Sequence, residues 1–471
     1  MAEEIRLFLG FCDIVPAAAR EQAGEGDMSV CVRLRREDGS YRAEARCGGW
    51  KAEARQPAAD DSPLRRKKLE KRALKLAVYR LMRVLYPDIR PPWGSLTGIR
   101  PTKLFRELAD ALGEAEAQAQ FMELFCVTPE KTALARRITA LQRPFLDAGP
   151  RELDVYIGIP YCRTRCLYCS FGSAVPKSAA DLKRYLDVLT EDIRLGAALA
   201  REGGYRLRAC YIGGGTPTIL SAGQMDALLD AARAAYGTLG AELTVEAGRP
   251  DTLDAEKLKV LRAQGVQRIS INPQTMNDAT LLRVGRAHSA EDTRRSFALA
   301  RELGFDWINM DLIAGLPGET AADMAHSCEE ICRLGPENLT VHALAVKRAS
   351  RLKTALADCP QARPEDMEAM LALGAQAAEA LGMQPYYMYR QKYMSGNLEN
   401  VGYARPGRVC RYNIDMMEES CSILAHGAGA MTKRVYGAEN RIERLPAPKD
   451  VPRYMEKLPL LDAKKRRQFL D

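Results

Sequence analysis

The sequence lacks any run of about 18 uninterrupted apolar residues, so it offers no segment of the kind that spans a membrane. Its first residues include Glu3 and Glu4, where a secretory signal carries basic residues. It has only 4 histidines, and its 13 cysteines are an odd number spread over 471 residues. These features argue against a membrane protein and against a secreted disulfide scaffold. They predict a cytoplasmic protein whose few grouped thiols serve as ligands.

The chain is too long for one ordinary compact domain, and its pattern changes twice, which predicts three regions. Residues 1–150 read as an α+β domain of unknown role, with a hairpin that turns at Asp38 and Gly39. In residues 151–352, apolar strands alternate with helical stretches, as in a parallel sheet of βα units. Residues 353–471 are predicted to form a mixed region that caps the substrate.

Six strands can be placed in the middle region, beginning near residues 154, 207, 242, 266, 307 and 338. A closed βα barrel requires eight such units, so six predict a partial and open barrel. The predicted fold class is therefore α/β, a partial (β/α)6 barrel with an N-terminal α+β domain and a C-terminal mixed α/β extension.

Much of the net charge of +8 comes from a basic run over residues 65–75. Such a run can contact nucleic acid or an anionic substrate. However, Leu74, Val78, Leu81 and Leu85 recur beside it at helical spacing, which indicates an amphipathic helix with a solvated basic face. We favour the second interpretation, and nucleic acid is not an expected partner.

The loop after the first barrel strand reads IPYCRTRCLYCSF and spaces Cys162, Cys166 and Cys169 as C-x3-C-x2-C. Three thiolates can ligate three irons of a 4Fe–4S cluster and leave the fourth iron open to a small molecule. Structural zinc and three unrelated buried thiols are the alternatives. Zinc in structural sites usually has four ligands, and no fourth cysteine or histidine is close in the sequence. The position of the loop, at the carboxyl end of a parallel strand, also favours the cluster.

This cysteine motif, with an aromatic residue before its last cysteine, resembles that of the radical S-adenosylmethionine (SAM) superfamily. The resemblance implies that SAM chelates the open iron and that one electron cleaves it to methionine and a 5′-deoxyadenosyl radical. It extends from about residue 155 to residue 345. The SAM contacts that it implies are Tyr156, Tyr168, Gly214, Gly215, Thr216, Glu246, Gln274, Arg286, Asp311 and Ala345.

Several of these residues also have ordinary structural interpretations. The run of three glycines at 213–215 leaves backbone groups open to a ligand, but it also suits a tight turn from strand to helix. Glu246 and Asp311 can accept hydrogen bonds from a ribose, or they can form ion pairs and helix caps. Their position at strand ends favours the site.

Three longer segments, WGSLTGIRPTKL, TVHALAVKRAS and YRQKYMSGNLENVGYA, resemble the HemZ-type branch of the oxygen-independent coproporphyrinogen III dehydrogenase family. The resemblance implies oxidative decarboxylation of a tetrapyrrole, coproporphyrinogen III, with electrons from a donor such as flavodoxin or ferredoxin. A large substrate with four propionates requires basic and aromatic contacts. The candidates in the C-terminal region are Arg390, Lys392, Tyr393 and Arg411.

Two features depart from the family pattern. Phe171 occupies the position of a further cysteine in the classical dehydrogenase, and Cys410 begins the stretch where a related heme chaperone has its histidine. Three hypotheses therefore stay open: a coproporphyrinogen decarboxylase, a heme-binding delivery protein, and a radical SAM enzyme for another substrate such as RNA. His288 and His342 can face the barrel cavity, although a satisfied core histidine is the simpler interpretation of each.

Overall fold

The computed structural model describes residues 1–9, 12, 14, 28–58, 63–98, 100–170, 174–347, 350–354, 362–391, 397–437, 439 and 441–470. These residues form two compact units. The first unit contains residues 1–136 and 390–398, and the second contains residues 137–389 and 399–471. In this part of the chain, no helix is long and apolar enough to cross a membrane.

The first unit is built on a three-stranded antiparallel sheet in the order β1-β2-β3. The predicted hairpin is confirmed, because β1 and β2 pair across a turn at Asp38 and Gly39. A second turn at Gly48 and Gly49 adds β3, which the sequence analysis missed. The elements are α1 (Ala2–Leu9), β1 (Cys31–Glu37), β2 (Ser40–Cys47), β3 (Trp50–Pro57), α2 (Pro63–Leu85), α3 (Pro101–Leu112), α4 (Glu114–Ala119) and α5 (Pro129–Gln142), the last of which ends in the second unit.

Helix α2 packs on this sheet through one apolar face. Val78 and Leu81 are fully buried, and so are Ala43 and Ala45 on the facing side of β2. The basic residues 65–68 near the start of the helix are exposed. The predicted amphipathic helix is therefore confirmed.

The second unit contains all six predicted barrel strands, and each pairs in parallel with the next. They are β4 (Glu152–Ile159), β5 (Arg206–Gly214), β6 (Glu242–Val245), β7 (Arg268–Ser270), β8 (Ile308–Ala314) and β9 (Asn338–Ala343). The helices between them are α6 (Ala179–Glu202), α7 (Ala222–Tyr236), α8 (Ala255–Ala263), α9 (Asp278–Arg283), α10 (Ala290–Glu302) and α11 (Ala321–Leu334). The predicted partial, open barrel is confirmed.

Side-chain caps explain where several of these helices begin. Ser178, Ser221, Asp254, Ser289 and Thr320 each accept a hydrogen bond from a backbone N–H in the first turn of the helix that follows. Each cap satisfies an N–H that has no partner inside the helix. The change from strand to helix is thus encoded locally, and it leaves the strand-to-helix loops at one edge of the sheet.

The C-terminal residues extend the barrel sheet at both edges. They form α12 (Pro364–Ala380), β10 (Gln384–Tyr389), β11 (Asn400–Ala404), α13 (Arg411–Glu418), β12 (Ser422–His426), β13 (Met431–Tyr436), β14 (Arg441–Pro446), α14 (Val451–Glu456) and α15 (Leu458–Leu470). Strand β11 pairs antiparallel with β9, and β12 pairs in parallel with β4. The sheet order is β10-β11-β9-β8-β7-β6-β5-β4-β12-β13-β14. Much of the C-terminal region is therefore part of the sheet itself.

Candidate functional site

The loop from β4 to α6 carries the three motif cysteines at the carboxyl edge of the barrel. Cys166 is buried, and Cys162 and Cys169 are partly exposed. Backbone hydrogen bonds fix the loop, from Cys162 N to Ala174 O at 2.9 Å and from Cys169 N to Cys166 O at 3.2 Å. The structure thus presents all three thiols in one short ordered segment.

Hydrogen-bond donors from other elements approach two of these thiols, those of Cys162 and Cys166. Thr216 Oγ1 lies 3.4 Å from Cys162 Sγ. Two guanidinium groups approach Cys166 Sγ, with Arg249 Nη1 at 3.9 Å and Arg286 Nη1 at 4.0 Å. Positive groups favour the thiolate form, which is the form that ligates iron. The donor set therefore fits an anionic iron–sulfur cluster.

The spacing of the thiols does not fit a single metal ion. Three thiolates on one zinc ion, at about 2.3 Å from it, lie about 3.8 Å from one another. Among the described residues, three possible metal ligands come within 4.8 Å of one another in one group, and that group is Asp154, Asp415 and Cys421. The motif cysteines do not form such a group. In that buried set, Asp415 already accepts a hydrogen bond from Arg208 Nε at 2.9 Å. The motif cysteines are thus not held at the spacing of ligands on a single ion.

The glycines that end β5 are required by close packing. A Cβ on Gly213 would lie 2.8 Å from the Glu246 carboxylate, and a Cβ on Gly215 would lie 2.4 Å from Tyr161 O. The expectation of open backbone donors needs correction, because the N–H groups of residues 214–216 already donate within the protein. Small residues here bring β5 against the loop of the motif cysteines and the end of β6.

Glu246 follows β6 at the carboxyl edge of the sheet. Its carboxylate accepts from Tyr211 Oη at 2.6 Å and from Gly214 N at 3.2 Å. Burial, reinforced by the nearby charge of Asp311, raises the pKa of Glu246 to about 7. This carboxyl can therefore accept hydrogen bonds from a ligand or hold a proton near neutral pH.

Asp311, on β8, lies beside two polar groups of neighbouring residues. Its Oδ1 accepts from Asn309 Nδ2 at 2.8 Å, and its Oδ2 lies 3.6 Å from His342 Nε2. His342 Nδ1 is in turn 3.3 Å from Tyr389 Oη. Gln274 joins this group through its backbone, because Gln274 N donates to Asp311 O at 2.9 Å. Five residues from four separate parts of the sequence thus meet at one place.

The remaining predicted contacts lie around the same edge. Arg286 Nη1 donates to Tyr168 Oη at 3.2 Å. Tyr156 stacks on Tyr211, with ring centroids 6.4 Å apart. Ala345 is partly buried, two residues beyond the end of β9. The structure therefore places the predicted cofactor residues on adjoining strand ends and loops.

The four predicted substrate contacts do not lie together with the predicted cofactor residues, or lie outside the described residues. Lys392 and Tyr393 lie outside the described residues. Arg390 belongs to the first unit and is only 4% exposed. Its guanidinium lies over the Trp93 ring and donates to Asn397 O at 2.9 Å. The guanidinium is thus in contact with residues of its own unit, and the placement gives no support to Arg390 as a substrate contact.

Arg411 lies at the opposite end of the barrel strands. Its backbone N donates to Glu242 Oε2 at 2.9 Å, and Glu242 is the first residue of β6. Glu246 is four residues further on, about 13 Å along an extended strand. Cys410 also contacts Glu242 and is buried. The segment that departs from the heme-chaperone pattern therefore sits at the amino ends of the strands, and Phe171 lies outside the described residues.

Some residues of this region were missed by the sequence analysis. Arg249, in TVEAGRP, could have been identified from the sequence, because it lies three positions after Glu246 at a strand end. Tyr211 and Tyr389 gave no such signal, because nothing in their local sequence fixes where they point. His288 is buried, and burial lowers its pKa to about 3, so it is neutral. The structure thus adds donors and aromatic rings around the predicted carboxylates.

Comparison with known proteins identifies the relatives of this chain. The model of the Radical SAM superfamily matches residues 156–331. The oxygen-independent coproporphyrinogen-III oxidase-like protein HemZ of Bacillus subtilis (strain 168) is 38% identical over 387 residues, covering 81% of this chain and 77% of that protein. The heme chaperone HemW of Escherichia coli (strain K12) is 31% identical over 264 residues, covering 56% of this chain and 65% of that protein.

Solved structures agree on the fold. The structure of coproporphyrinogen III oxidase (HemN) from Escherichia coli, described as a radical SAM enzyme, matches 70% of this chain and 78% of its own. The TM-score is 0.54 and the sequence identity is 23%, a likeness that extends to the fold alone. Together with the cysteine loop and the identity to HemZ, these matches establish the family. The chain belongs to the radical SAM enzyme superfamily, among the coproporphyrinogen-III oxidase-like proteins of the HemZ type.

Proposed function

We propose that this protein oxidatively decarboxylates coproporphyrinogen III to protoporphyrinogen IX, using a 4Fe–4S cluster and SAM. The observation that carries the proposal is the meeting of the cysteine loop with Glu246 and Asp311 at one edge of the barrel. The 38% identity to a coproporphyrinogen-III oxidase-like protein supports the choice of substrate. An electron donor of the flavodoxin or ferredoxin class is part of the proposal.

The cysteine loop supplies the ligands for the cluster. Cys162, Cys166 and Cys169 would hold three irons, and Arg249 and Arg286 would donate to the sulfur of Cys166. When bound, the cluster and SAM together supply a one-electron cleavage that generates a radical able to abstract hydrogen. The positive guanidinium groups stabilise negative charge on this side of the barrel.

The carboxylates would orient SAM. A ribose diol and an ammonium group require acceptors, and Glu246 and Asp311 are two acceptors on strands that lie near each other in the barrel. Asn309 and His342 hold the Asp311 carboxylate from either side. Fixing the carboxylate before SAM arrives reduces the ordering needed on binding.

For this proposal, the Asp311→Ala variant should bind SAM about 10- to 100-fold more weakly and should retain its cluster. Losing a hydrogen-bond partner of a charged group costs about 1.5–3 kcal/mol. Equilibrium dialysis with labelled SAM measures the affinity, and iron analysis checks the cluster. Asp306→Ala is the matched control, because Asp306 is an exposed aspartate whose pairing is with Arg408. Equal SAM affinity in both variants would assign Asp311 a structural role.

In the proposed reaction, each propionate loses one hydrogen atom, one electron and CO2. A hydrogen atom leaves the β-carbon, the carboxylate departs as CO2, the vinyl double bond forms, and an acceptor takes the remaining electron. Reconstituted protein, incubated without oxygen with coproporphyrinogen III, SAM and reductant, tests this directly. Mass analysis should show the loss of CO2 and two hydrogens from each of two propionates.

Delivery of heme is the second candidate function, because relatives at 31% identity are named heme chaperones. Stoichiometric heme binding with no vinyl product in the same assay would replace the first proposal by this one. Turnover that depends on added RNA would instead favour a radical SAM enzyme for that substrate. An intact cluster without turnover of coproporphyrinogen III contradicts the first proposal.

A further inference from the structure

Three buried side chains of the kind that bind metal ions meet near the amino ends of the barrel strands. Asp154 lies near the start of β4, Asp415 lies on α13, and Cys421 directly precedes β12. One ligand atom from each lies within 4.8 Å of the other two, and each residue is at most 2% exposed. We call these three residues the amino-end cluster. Because Asp154 is five residues before the end of β4, about 16 Å along the strand, the cluster is separate from the edge that carries Cys162.

Asp154 is the member whose position calls for a ligand. It is fully buried, and among the described residues neither of its carboxylate oxygens has a hydrogen-bond partner. The backbone of Ala209 is close enough to act on this carboxyl, but it does not donate with hydrogen-bond geometry. Burying a carboxylate is unfavourable unless hydrogen bonds or an opposite charge compensate it. The carboxylate of Asp154 therefore lacks the compensation that a buried charge requires.

An irregularity in the sheet lies beside Asp154. The pairing of β4 with β5 shifts register between Leu153 and Val155, so that β5 has an extra residue opposite Asp154. Bulges of this kind turn side chains in new directions and are frequent near functional sites. On the other side of β4, Asp154 is paired with Ile423 of β12, two residues beyond Cys421. The sheet thus brings the carboxyl and the thiol together from distant parts of the chain.

Asp415 is oriented by two donors. Its Oδ1 accepts from Ser420 Oγ at 2.7 Å, and its Oδ2 accepts from Arg208 Nε at 2.9 Å. Each carboxylate oxygen can accept more than one bond, so these contacts leave a lone pair for a metal ion. Carboxylates that ligate metals are ordinarily hydrogen-bonded in this way. Ser420 and Arg208 therefore fit the role of groups that hold a ligand in place.

The charge of Arg208 does not balance the amino-end cluster by itself. Its guanidinium also pairs with Asp147 at 2.7 Å and with Glu152 at 3.3 Å, so three carboxylates share one positive charge. With all three members ionised, the cluster would carry three negative charges. A divalent cation would offset two of them and leave the third to Arg208.

We propose that the amino-end cluster binds one zinc ion. Zinc takes mixed ligands, with thiolate sulfur at about 2.3 Å and carboxylate oxygen at about 2.0–2.2 Å, whereas magnesium and calcium take oxygen. Such ligands are about 3.6 Å apart on one ion, so side-chain shifts of about 1 Å would close the set. The Glu152 carbonyl oxygen, 3.5 Å from Cys421 Sγ, is placed to be a fourth ligand. A closed site of this kind is structural, and it would fasten α13 and β12 to the first barrel strand.

A proton on Asp154 is the alternative to the ion. Burial, reinforced by the charge of Asp415, raises the pKa of Asp154 well above its ordinary value, so this carboxyl is neutral when no ion is bound. A protonated carboxyl is a donor, and the carboxylate within reach is that of Asp415. Asparagine has nearly the shape of a protonated aspartic acid. Asp154→Asn therefore mimics the protonated form and removes a charged ligand of the ion.

The test measures zinc and iron in the full chain after its cluster has been reconstituted without oxygen. The protein is dialysed against zinc and then against buffer without zinc. Mass spectrometry of the metals should find about one zinc ion per chain in addition to the iron. X-ray absorption at the zinc edge should show one sulfur at about 2.3 Å and oxygens at about 2.0–2.2 Å. Absence of zinc would overturn the proposal, and so would a shell of sulfur alone, which would place the zinc on the motif cysteines.

The variants Asp154→Asn and Cys421→Ser should each bind zinc about tenfold more weakly or worse. Even groups that only orient a ligand contribute about 10- to 100-fold to metal affinity, so the loss of a ligand should cost at least as much. Cys328→Ser is the matched control, because it removes a buried thiol on α11 and should retain zinc.

Equal zinc content in Asp154→Asn and Cys328→Ser would overturn the proposal and leave a shared proton as the explanation of the amino-end cluster. Should Cys421→Ser fail to fold, Asp154→Asn still gives this comparison, because it preserves the volume of the side chain. The iron content should be the same in every variant that folds. Failure of the zinc site is therefore distinguishable from failure of the proposed catalytic function.

Discussion

Replacing Cys166 by serine should abolish both iron incorporation and SAM cleavage. The variant leaves two thiolates for the cluster, and a serine hydroxyl is a poor ligand for iron at neutral pH. Cys166 is buried beside Arg249 and Arg286. No other described thiol lies where it could replace Cys166 next to these two donors. Iron and sulfide analysis, absorption near the charge-transfer bands of the cluster, and the yield of 5′-deoxyadenosine measure the effect. Cys162→Ser and Cys169→Ser should behave in the same way.

The matched controls are cysteines outside the motif. Cys31, exposed on β1, and Cys328, buried on α11, should tolerate serine without loss of iron. Because Cys328→Ser can cost some stability, Cys31→Ser provides the cleaner comparison. A Cys169→Ser protein that retains a full cluster would contradict the assignment of three cysteine ligands.

The Lys465→Met variant should lower the free energy of unfolding of the second unit by about 3–5 kcal/mol. Asp192 and Lys465 form a buried pair with Oδ1 and Nζ 2.6 Å apart, and both side chains are at most 5% exposed. Removing one partner leaves an uncompensated charge inside the protein. Although burial raises the pKa of Asp192, Lys465 and His426 hold it well below its ordinary value. The ionised Asp192 therefore contributes to the free energy of unfolding above about pH 4, and this contribution is lost as the pH falls further.

Arg466→Met is the control, since Arg466 is the next residue of α15 and pairs with Glu202 at the surface. Exposed pairs contribute about 0–1 kcal/mol, so this variant should differ little from the parent in urea unfolding. The double variant Asp192→Asn, Lys465→Met should recover part of the loss, because it removes both charges. Equal destabilisation by Lys465→Met and Arg466→Met would show that the buried pair contributes no more than the exposed one.

Patterns within a few residues were enough to predict much of the framework of both units. The six strands, the turn at Asp38 and Gly39, and the basic face of α2 all follow from local alternation, turn residues and helical spacing. The spacing of Cys162, Cys166 and Cys169 likewise located the loop that we propose holds the cluster. Strand β3 was missed because its alternation follows a short glycine turn and carries charged residues on the exposed face.

Contacts between distant residues were beyond such patterns. Arg390 is polar, close in sequence to aromatic residues, and therefore resembled a substrate contact, yet its guanidinium is used beside Trp93 in the first unit. Arg411 looked equally suitable, but α13 places it at the amino ends of the strands. Local sequence does not say to which end of a sheet a loop returns, which decided the position of Arg411. Nor does it say which distant residues a side chain meets, which decided that of Arg390.

The sequence by itself determined the strands, the helix starts and the cysteine spacing, because each depends on neighbours a few residues apart. Only the tertiary structure decided which groups meet. Strand β12 lies beside β4 although about 270 residues separate them, and this pairing brings His426 to Asp192 and Lys465. Arg249 likewise contacts Cys166 although 83 residues separate the two in the sequence. These contacts depend on the order and register of the whole sheet, which no local stretch of the chain contains.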